Sequence, residues 1–183
     1  MLKELISQSE ALVFFTGAGI STNSGIPDFR GPKGIWKTSQ PIYFQDFVNS
    51  EEKRIESWER KFSNELNINK AKPNLGHQKI AKIMKKKDLS HLITQNVDNL
   101  HQESGVGDSQ ITELHGNATY AKCLDCQLRY DLAELKESFL RTKEPPQCSE
   151  CNGLIKTATI SFGQAMPEEE MVIAQKKSIS CDL

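Results

Sequence analysis

Four cysteines stand in two pairs, Cys123 with Cys126 and Cys148 with Cys151. Each C-x2-C pair makes a tight knuckle that can aim two thiolates at one point. Two knuckles complete a tetrahedron of four sulfurs, the ligand set of a structural Zn2+. The 21 residues between the pairs are one more than the usual zinc-site spacer. Four protein sulfurs leave no position for water, so one such ion holds structure and performs no chemistry. Two redox pairs or plain core cysteines are the rival readings. Disulfides are disfavoured in a reducing compartment. The fifth cysteine, Cys181, reads as a buried thiol entering a strand.

The second chemical signal lies near the N-terminus. The unbroken apolar run Ala11 to Phe15 suits a strand buried on both faces of a parallel sheet. Gly17-Ala18-Gly19 and Ser21-Thr22 follow it. Glycines there permit a tight turn and let backbone N–H groups approach a pyrophosphate. A plain glycine turn between strand and helix is the alternative. Thr22 stands where a third glycine would complete G-x-G-x-x-G, and no acid marks the end of a second strand. Pro27 then stops the helix early and leaves Asp28, Phe29 and Arg30 in a loop beside the turn. Hydride transfer has no use for that loop. Cleavage of a nicotinamide–ribose bond does: Arg30 can bind phosphate, and Phe29 can cover a cationic sugar and exclude water.

The elements that must position these groups alternate. Leu2, Leu5 and Ile6 predict a short first helix. One or two helices are predicted between Phe44 and Leu66. Asn74 caps a helix that carries Leu75, Ile80, Ile83 and Met84 inward, with Lys79, Lys82 and Lys85 to Lys87 on the solvated face. Strands are predicted at 89–94, 110–114 and, fully buried, at 158–162, with a short helix near 97–103. A cysteine module at 119–156 carries its own helix at 132–140, and Pro167 opens a last helix at its first turn. The fold class is therefore α/β: a Rossmann-like parallel sheet with a small inserted zinc-ribbon and helical module.

Composition bounds the function. The chain has 183 residues, 37% hydrophobic, with formal net charge -1. That fits one globular domain with a small inserted module. The near-zero charge argues against nucleic-acid binding by bulk electrostatics. No stretch is long and apolar enough to span a membrane or serve as a signal peptide, so the cytoplasm is the expected location.

Five motifs in order resemble the sirtuins, NAD-dependent protein deacylases. They are GAGISTNSGIPDFRG at 17–31, TQNVDNLH at 94–101, ELHG at 113–116, the two cysteine pairs, and SFGQ at 161–164 followed by Met166 and Pro167. The resemblance implies that the acyl group of an acyl-lysine protein or peptide moves to ADP-ribose as nicotinamide leaves. It implies NAD as co-substrate and Zn2+ as a structural ion. By motif, His115 is the general base for the ribose hydroxyl. Asn96 and Gln95 contact ribose and ordered water, and Val97 and Asp98 hold the nicotinamide carboxamide. Gly17, Ala18, Gly19 and Thr22 line the pyrophosphate and adjacent sugar, with Asp28, Phe29 and Arg30 beside them. Read alone, 96–98 would be a helix cap and His115 an ordinary core or surface histidine, as His77 and His91 are expected to be. His101 is given no chemistry. Trp36 is expected to pack as core beneath the cofactor loop.

The resemblance has departures. Members that prefer acidic acyl chains carry Tyr-x-x-Arg where this chain has Trp58-Glu59-Arg60-Lys61, so no succinyl or malonyl preference is implied. The family's sheet continues beyond the point matching Leu183, so the sheet is expected to be incomplete at the C-terminus, leaving the Ala11 to Phe15 strand without a neighbour on one side. The expected organisation is an NAD-binding part at 1–118 and 157–183, with a helical insertion at about 38–72, and the zinc module at 119–156. Two alternatives stay open: a sirtuin-type protein mono-ADP-ribosyltransferase and an inactive zinc-binding fragment. Protein targets and oligomeric state are not readable.

Overall fold

The computed structural model describes residues 2–31, 34–37, 39–63 and 68–183. Thr38 and Leu66, which the sequence assigned to the helical insertion, lie outside the described residues. Helix α1 (Leu2–Gln8) leads to strand β1 (Val13–Thr16), and a 3-10 helix over Ala18–Ser24 follows the glycines. Helices α2 (Phe44–Asn49) and α3 (Glu51–Ser63) precede α4 (Leu75–Met84). Then come β2 (His91–Thr94), the short α5 (Leu100–Glu103) and β3 (Ile111–Glu113).

Strands β1, β2 and β3 form a parallel sheet in that order, with Phe14 opposite Leu92 and Leu92 opposite Ile111. The central strand β2 is buried at all four residues. Helix α4 covers one face through Ala81 and Met84, which pack with Leu92 and Val106. Asn74 starts this helix with a capping box: its side chain accepts from Gly76 N–H at 2.8 Å, and His77 Nδ1 accepts from Asn74 N–H at 3.3 Å. Caps of this kind contribute about 1 kcal/mol. Leu75 departs from expectation. At the first helical position it is 66% exposed, and the inward places go to His77, Ala81 and Met84.

Strand β1 also departs. It is an edge strand of the three, and Phe15 is 61% exposed, so it is not buried on both faces. Its outer edge is partly paired. Val13 N–H donates to the Leu183 carbonyl at 2.8 Å, and Asp182 N–H donates to the Ala11 carbonyl at 3.0 Å. The Asp182 carboxylate accepts from the N–H groups of Glu10 and Ala11. The chain thus returns beside β1 after α7 (Glu168–Ser180), whose N-cap is Pro167, one place earlier than expected. Cys181 is half-buried just before that contact.

The second sheet is antiparallel, in the order β5-β4-β6. Its strands are β4 (Gly116–Cys123), β5 (Arg129–Asp131) and β6 (Ile155–Thr159), with helix α6 (Leu132–Thr142) packed on it. The buried strand expected at 158–162 is therefore corrected. The strand ends at Thr159 and belongs to this sheet, and residues 157–161 are only half-buried, with Phe162 exposed. The core of this module holds Ala121, Cys123, Leu135, Phe139, Cys148 and Ile155, and Trp58 of α3 completes it. Trp58 stacks on Phe62 at 5.3 Å, and Phe62 meets Phe139 at 5.7 Å. Helix α3 is therefore the strut that ties the helical insertion to the cysteine module.

The two sheets meet at Gly116. Its φ of 70° is left-handed, and an added Cβ would lie 1.9 Å from the Ala158 carbonyl oxygen. Gly116→Ala therefore forces β4 and β6 apart, and a loss of about 3 kcal/mol or more is expected. The urea unfolding midpoint of the variant measures this, and an unchanged midpoint contradicts the packing described.

Candidate functional site

A cavity of about 830 Å³ opens where β1 and β2 end and the second sheet begins. The C-terminal ends of parallel strands are where α/β folds place ligands, because connecting loops diverge there. Its walls include Ala18, Asp28, Phe29, Arg30, Gln95, Asn96, Val97 and His115. Ala18 and His115, 97 positions apart in the chain, thus face one space. Gly17, Gly19, Thr22 and Asp98 do not line it. Thr22 is exposed and turns its hydroxyl back to the Gly19 carbonyl at 2.9 Å.

The loop glycines have a spatial reading. A Cβ added at Gly17 or Gly19 would meet nothing within 4 Å. Gly17 also has an ordinary extended φ of -137°. Neither packing nor backbone conformation demands glycine at position 17. The open space beside the loop fits close approach of a bulky phosphate group.

His115 is fixed by three elements. Leu114 N–H donates to the Thr94 carbonyl at 2.9 Å, and Ile160 N–H donates to the His115 carbonyl at 2.8 Å. The ring nitrogen Nδ1 lies 3.0 Å from the Gln95 carbonyl oxygen. A carbonyl can only accept, so Nδ1 carries the hydrogen and Nε2 keeps the lone pair. The imidazole is thereby prepared as a base.

Beneath Asn96 runs a buried polar network. Ser21 donates to Asp98 Oδ2 at 2.6 Å and accepts from Asn96 Nδ2 at 3.2 Å. Asp98 Oδ1 accepts from the N–H of Leu100, the first helical residue of α5, at 3.0 Å, although the N-cap position itself falls to Asn99 and not to 96–98. Asn96 N–H donates to Thr94 Oγ1, which itself accepts from Thr16 Oγ1 at 2.9 Å. Ser21 had no role in the sequence reading. Its hydroxyl joins residues 75 positions away, and no local pattern signals that.

His77 and His101 complete the network, 4.8 Å apart and edge to face. His101 Nε2 is 3.0 Å from Thr16 Oγ1, while its buried Nδ1 has no partner. Burial, with neighbouring His77 adding to it and Asp98 opposing, pushes the His101 pKa down to about 4. His77 and His91 are also held low, chiefly by burial. His77 and His91 match the expectation of satisfied core histidines; His101 is buried with them, but its Nδ1 finds no partner among the described residues.

The aromatic wall was only partly foreseen. Phe29, Trp36 and Phe162 form a ladder with centroids 5.4 and 5.1 Å apart, and the Arg30 guanidinium lies 4.9 Å above Trp36. Trp36 is half-buried and lines the cavity, so it is wall and not core. Lys61, which the sequence did not single out for the site, also lines the cavity and donates to the Ala118 carbonyl at 2.6 Å. Burial lowers its pKa.

The four cysteines converge. Their sulfurs all lie within 4.8 Å of one another, with Cys123 to Cys151 and Cys126 to Cys148 each at 3.5 Å. These distances bracket the edge of about 3.8 Å expected for a tetrahedron with metal–sulfur bonds near 2.3 Å. They are far too long for disulfides. Gly153 leaves the room this needs: a Cβ there would sit 2.9 Å from Cys123 Sγ. The set fits one tetrahedral ion. Among the described residues, no helix is long and apolar enough to cross a membrane.

A parallel α/β layer with a strand-end cavity, joined to a module whose four cysteines fit a structural metal ion, defines a nucleotide-site enzyme scaffold. The chain belongs to the Sir2 family, whose model matches residues 17–183. It is 47% identical over 182 residues to the NAD-dependent protein deacetylase of Rhodopseudomonas palustris, covering 100% of this chain and 72% of that protein. It is 38% identical over 171 residues to the NAD-dependent protein deacetylase of Thermotoga maritima, covering 92% and 67%. A solved Sir2–p53 peptide–NAD+ complex superposes with TM-score 0.82 at 35% identity, covering 98% of this chain and 71% of that one.

Acid should weaken the fold through the buried histidines. An unfolded histidine binds a proton near pH 6.5, and folded His101 resists until about 4. Between those values the unfolded state holds more protons. Stability therefore falls as pH drops from about 6.5 to 4, by up to about 1.4 kcal/mol per pH unit from His101, with His77 and His91 acting in the same direction. Urea midpoints measured from pH 7 to pH 5 should decline steadily, and a flat profile contradicts the buried neutral pair.

Proposed function

We propose that this chain is an NAD-dependent protein lysine deacylase. It transfers the acyl group of an acyl-lysine protein or peptide to ADP-ribose and releases nicotinamide. The observation that carries this reading is the His115 tautomer: Nδ1 is held by the Gln95 carbonyl at 3.0 Å, which leaves Nε2 as the base beside Asn96 in one cavity. The likeness to the R. palustris deacetylase supports it.

NAD, when bound, supplies the ribose carbon that accepts the acyl oxygen and the nicotinamide that departs. The chain supplies positioning, charge and a dry site. His115 Nε2 takes a proton from a ribose hydroxyl. Asn96, braced by Ser21, offers its carbonyl oxygen as acceptor, because its amide is committed to Ser21. Gln95 lies beside it at the cavity wall. Val97 and the carboxylate of Asp98 hold the nicotinamide carboxamide, each Asp98 oxygen keeping a lone pair beyond its internal bond. The open space at Gly17, Ala18 and Gly19 takes the pyrophosphate, with Thr22, Asp28 and Arg30 around it. Phe29 with Trp36 and Phe162 excludes water from the reacting sugar carbon. Phe162 and Met166, both exposed at the cavity, line the approach of the acyl-lysine.

The thiolates of Cys123, Cys126, Cys148 and Cys151 hold one Zn2+, with no open position for catalysis. We divide the chain accordingly: a nucleotide-binding part at 1–118 and 157–183 with the helical insertion at about 38–72, and a zinc module at 119–156. Five cysteines outside any disulfide suit a reducing cytoplasm.

Incubation of the chain with NAD and an acetyl-lysine peptide should yield deacetylated peptide, nicotinamide and O-acetyl-ADP-ribose by mass spectrometry. His115→Ala should lower kcat/KM by about 10²- to 10⁴-fold. Full activity in that variant overturns the assignment, and an ADP-ribosylated protein in place of the acylated sugar points to mono-ADP-ribosylation. Native mass spectrometry should find one zinc per chain. Its removal with a strong chelator should lower the thermal midpoint, because the ion staples the two knuckles. An unchanged midpoint argues against a structural ion.

A further inference from the structure

Of the two tyrosines in the zinc-module sequence, Tyr120 and Tyr130, only Tyr130 hydrogen-bonds one of the four cysteines. Tyr130 lies on β5 opposite Ala121, and its ring packs against the core that holds Cys123, Leu135 and Phe139. Its Oη is 3.0 Å from Cys148 Sγ. The same oxygen accepts the Ser149 N–H at 3.0 Å and lies 3.2 Å from Ser149 Oγ. A phenol oxygen has one hydrogen and two lone pairs. The arrangement that satisfies all three contacts has Ser149 donating twice and the phenol O–H pointing at the sulfur. Among the described residues, no other sulfur of the four has a side-chain hydroxyl in reach.

Four thiolates around Zn2+ carry a formal net charge of about -2. Cys126 and Cys151 face solvent, which spreads part of that charge into water. Cys148 is 1% exposed and has no such outlet. A fixed hydroxyl donor at that sulfur stabilises its negative charge and holds it at one corner of the tetrahedron. Partners of this kind behind metal ligands typically change affinity by about 10- to 100-fold.

We propose that Tyr130 is a positioning residue for the metal centre: its hydroxyl, locked by Ser149, donates to the zinc-bound thiolate of Cys148 and holds the ion in place. The inference rests on reading the four cysteines as a zinc site. Tyr130→Phe keeps the ring and removes only the hydroxyl. Competition for zinc against a chromophoric chelator should show affinity reduced about 10-fold or more. The urea midpoint of the zinc-saturated variant should fall by no more than the lost zinc affinity accounts for. With Co2+ in place of zinc, the sulfur-to-metal charge-transfer band of the variant should move to longer wavelength, since an unbonded thiolate gives up its electron more easily. A purely structural tyrosine would not move that band. Equal zinc affinity and an unshifted band overturn the role of Tyr130 while leaving the zinc reading intact. Failure of the parent chain to bind either ion overturns the zinc reading and this inference with it.

Discussion

The site depends on how closely β4 and β6 approach at Gly116. The Ala158 carbonyl occupies the place where any side chain at 116 would begin. That approach lets Ile160 bond to the His115 carbonyl, and it turns the chain from a parallel sheet into an antiparallel one within two residues. His115 therefore sits on a junction anchored by β2, β3 and β6 at once. A base on such a junction cannot drift from the cavity without breaking sheet hydrogen bonds. Rigid support of this kind is what a catalytic histidine needs, since small displacements of a reacting group cost orders of magnitude in rate.

Under the cavity, the chain accepts a cost to keep polar groups in order. Ser21, Asp98, Asn96, His77 and His101 are all buried, yet nearly every polar atom finds a partner. The His101 Nδ1 is an exception, and burial keeps that ring neutral. A fully bonded network of this sort fixes orientation better than an apolar core, because each hydroxyl and amide has one satisfied rotamer. The orientation of the Asn96 amide follows from Ser21, and that of Ser21 from Asp98.

The cysteine module and the helical insertion are physically coupled. Trp58 leaves the helical insertion to complete the core around Cys123 and Cys148. On the next turn of the same helix, Lys61 reaches the cavity and the Ala118 carbonyl. One helix thus carries a core anchor for the thiolate cluster and a wall residue of the site. Cys123 of the four-sulfur cluster ends β4, the strand that begins beside His115.

Chemistry written in short spacings was legible in the sequence. The cysteine pairs, the glycine turn and the Pro27 interruption each depend on neighbours within a few residues, whereas the ELHG segment acquired a role only through the family resemblance. The capping role of Asn74 was local too. Exposure was not legible in the same way. Phe15 and Leu75 carry apolar side chains, but burial is set by what other elements cover, and the described residues leave both largely exposed. Residues 158–162 read as a buried strand because Ala158, Ile160 and Phe162 are apolar. Pairing with β4 ends at Thr159, and the remainder is free to line the cavity. The sequence by itself determined the ligand atoms and the turn geometry, since these follow from covalent spacing and residue type. Only the tertiary structure decided which nitrogen of His115 holds the lone pair, which hydroxyl orients Asn96, and that a tyrosine stands behind Cys148. Those are contacts between segments far apart in the chain, whose distances are set by packing and not by order along the backbone.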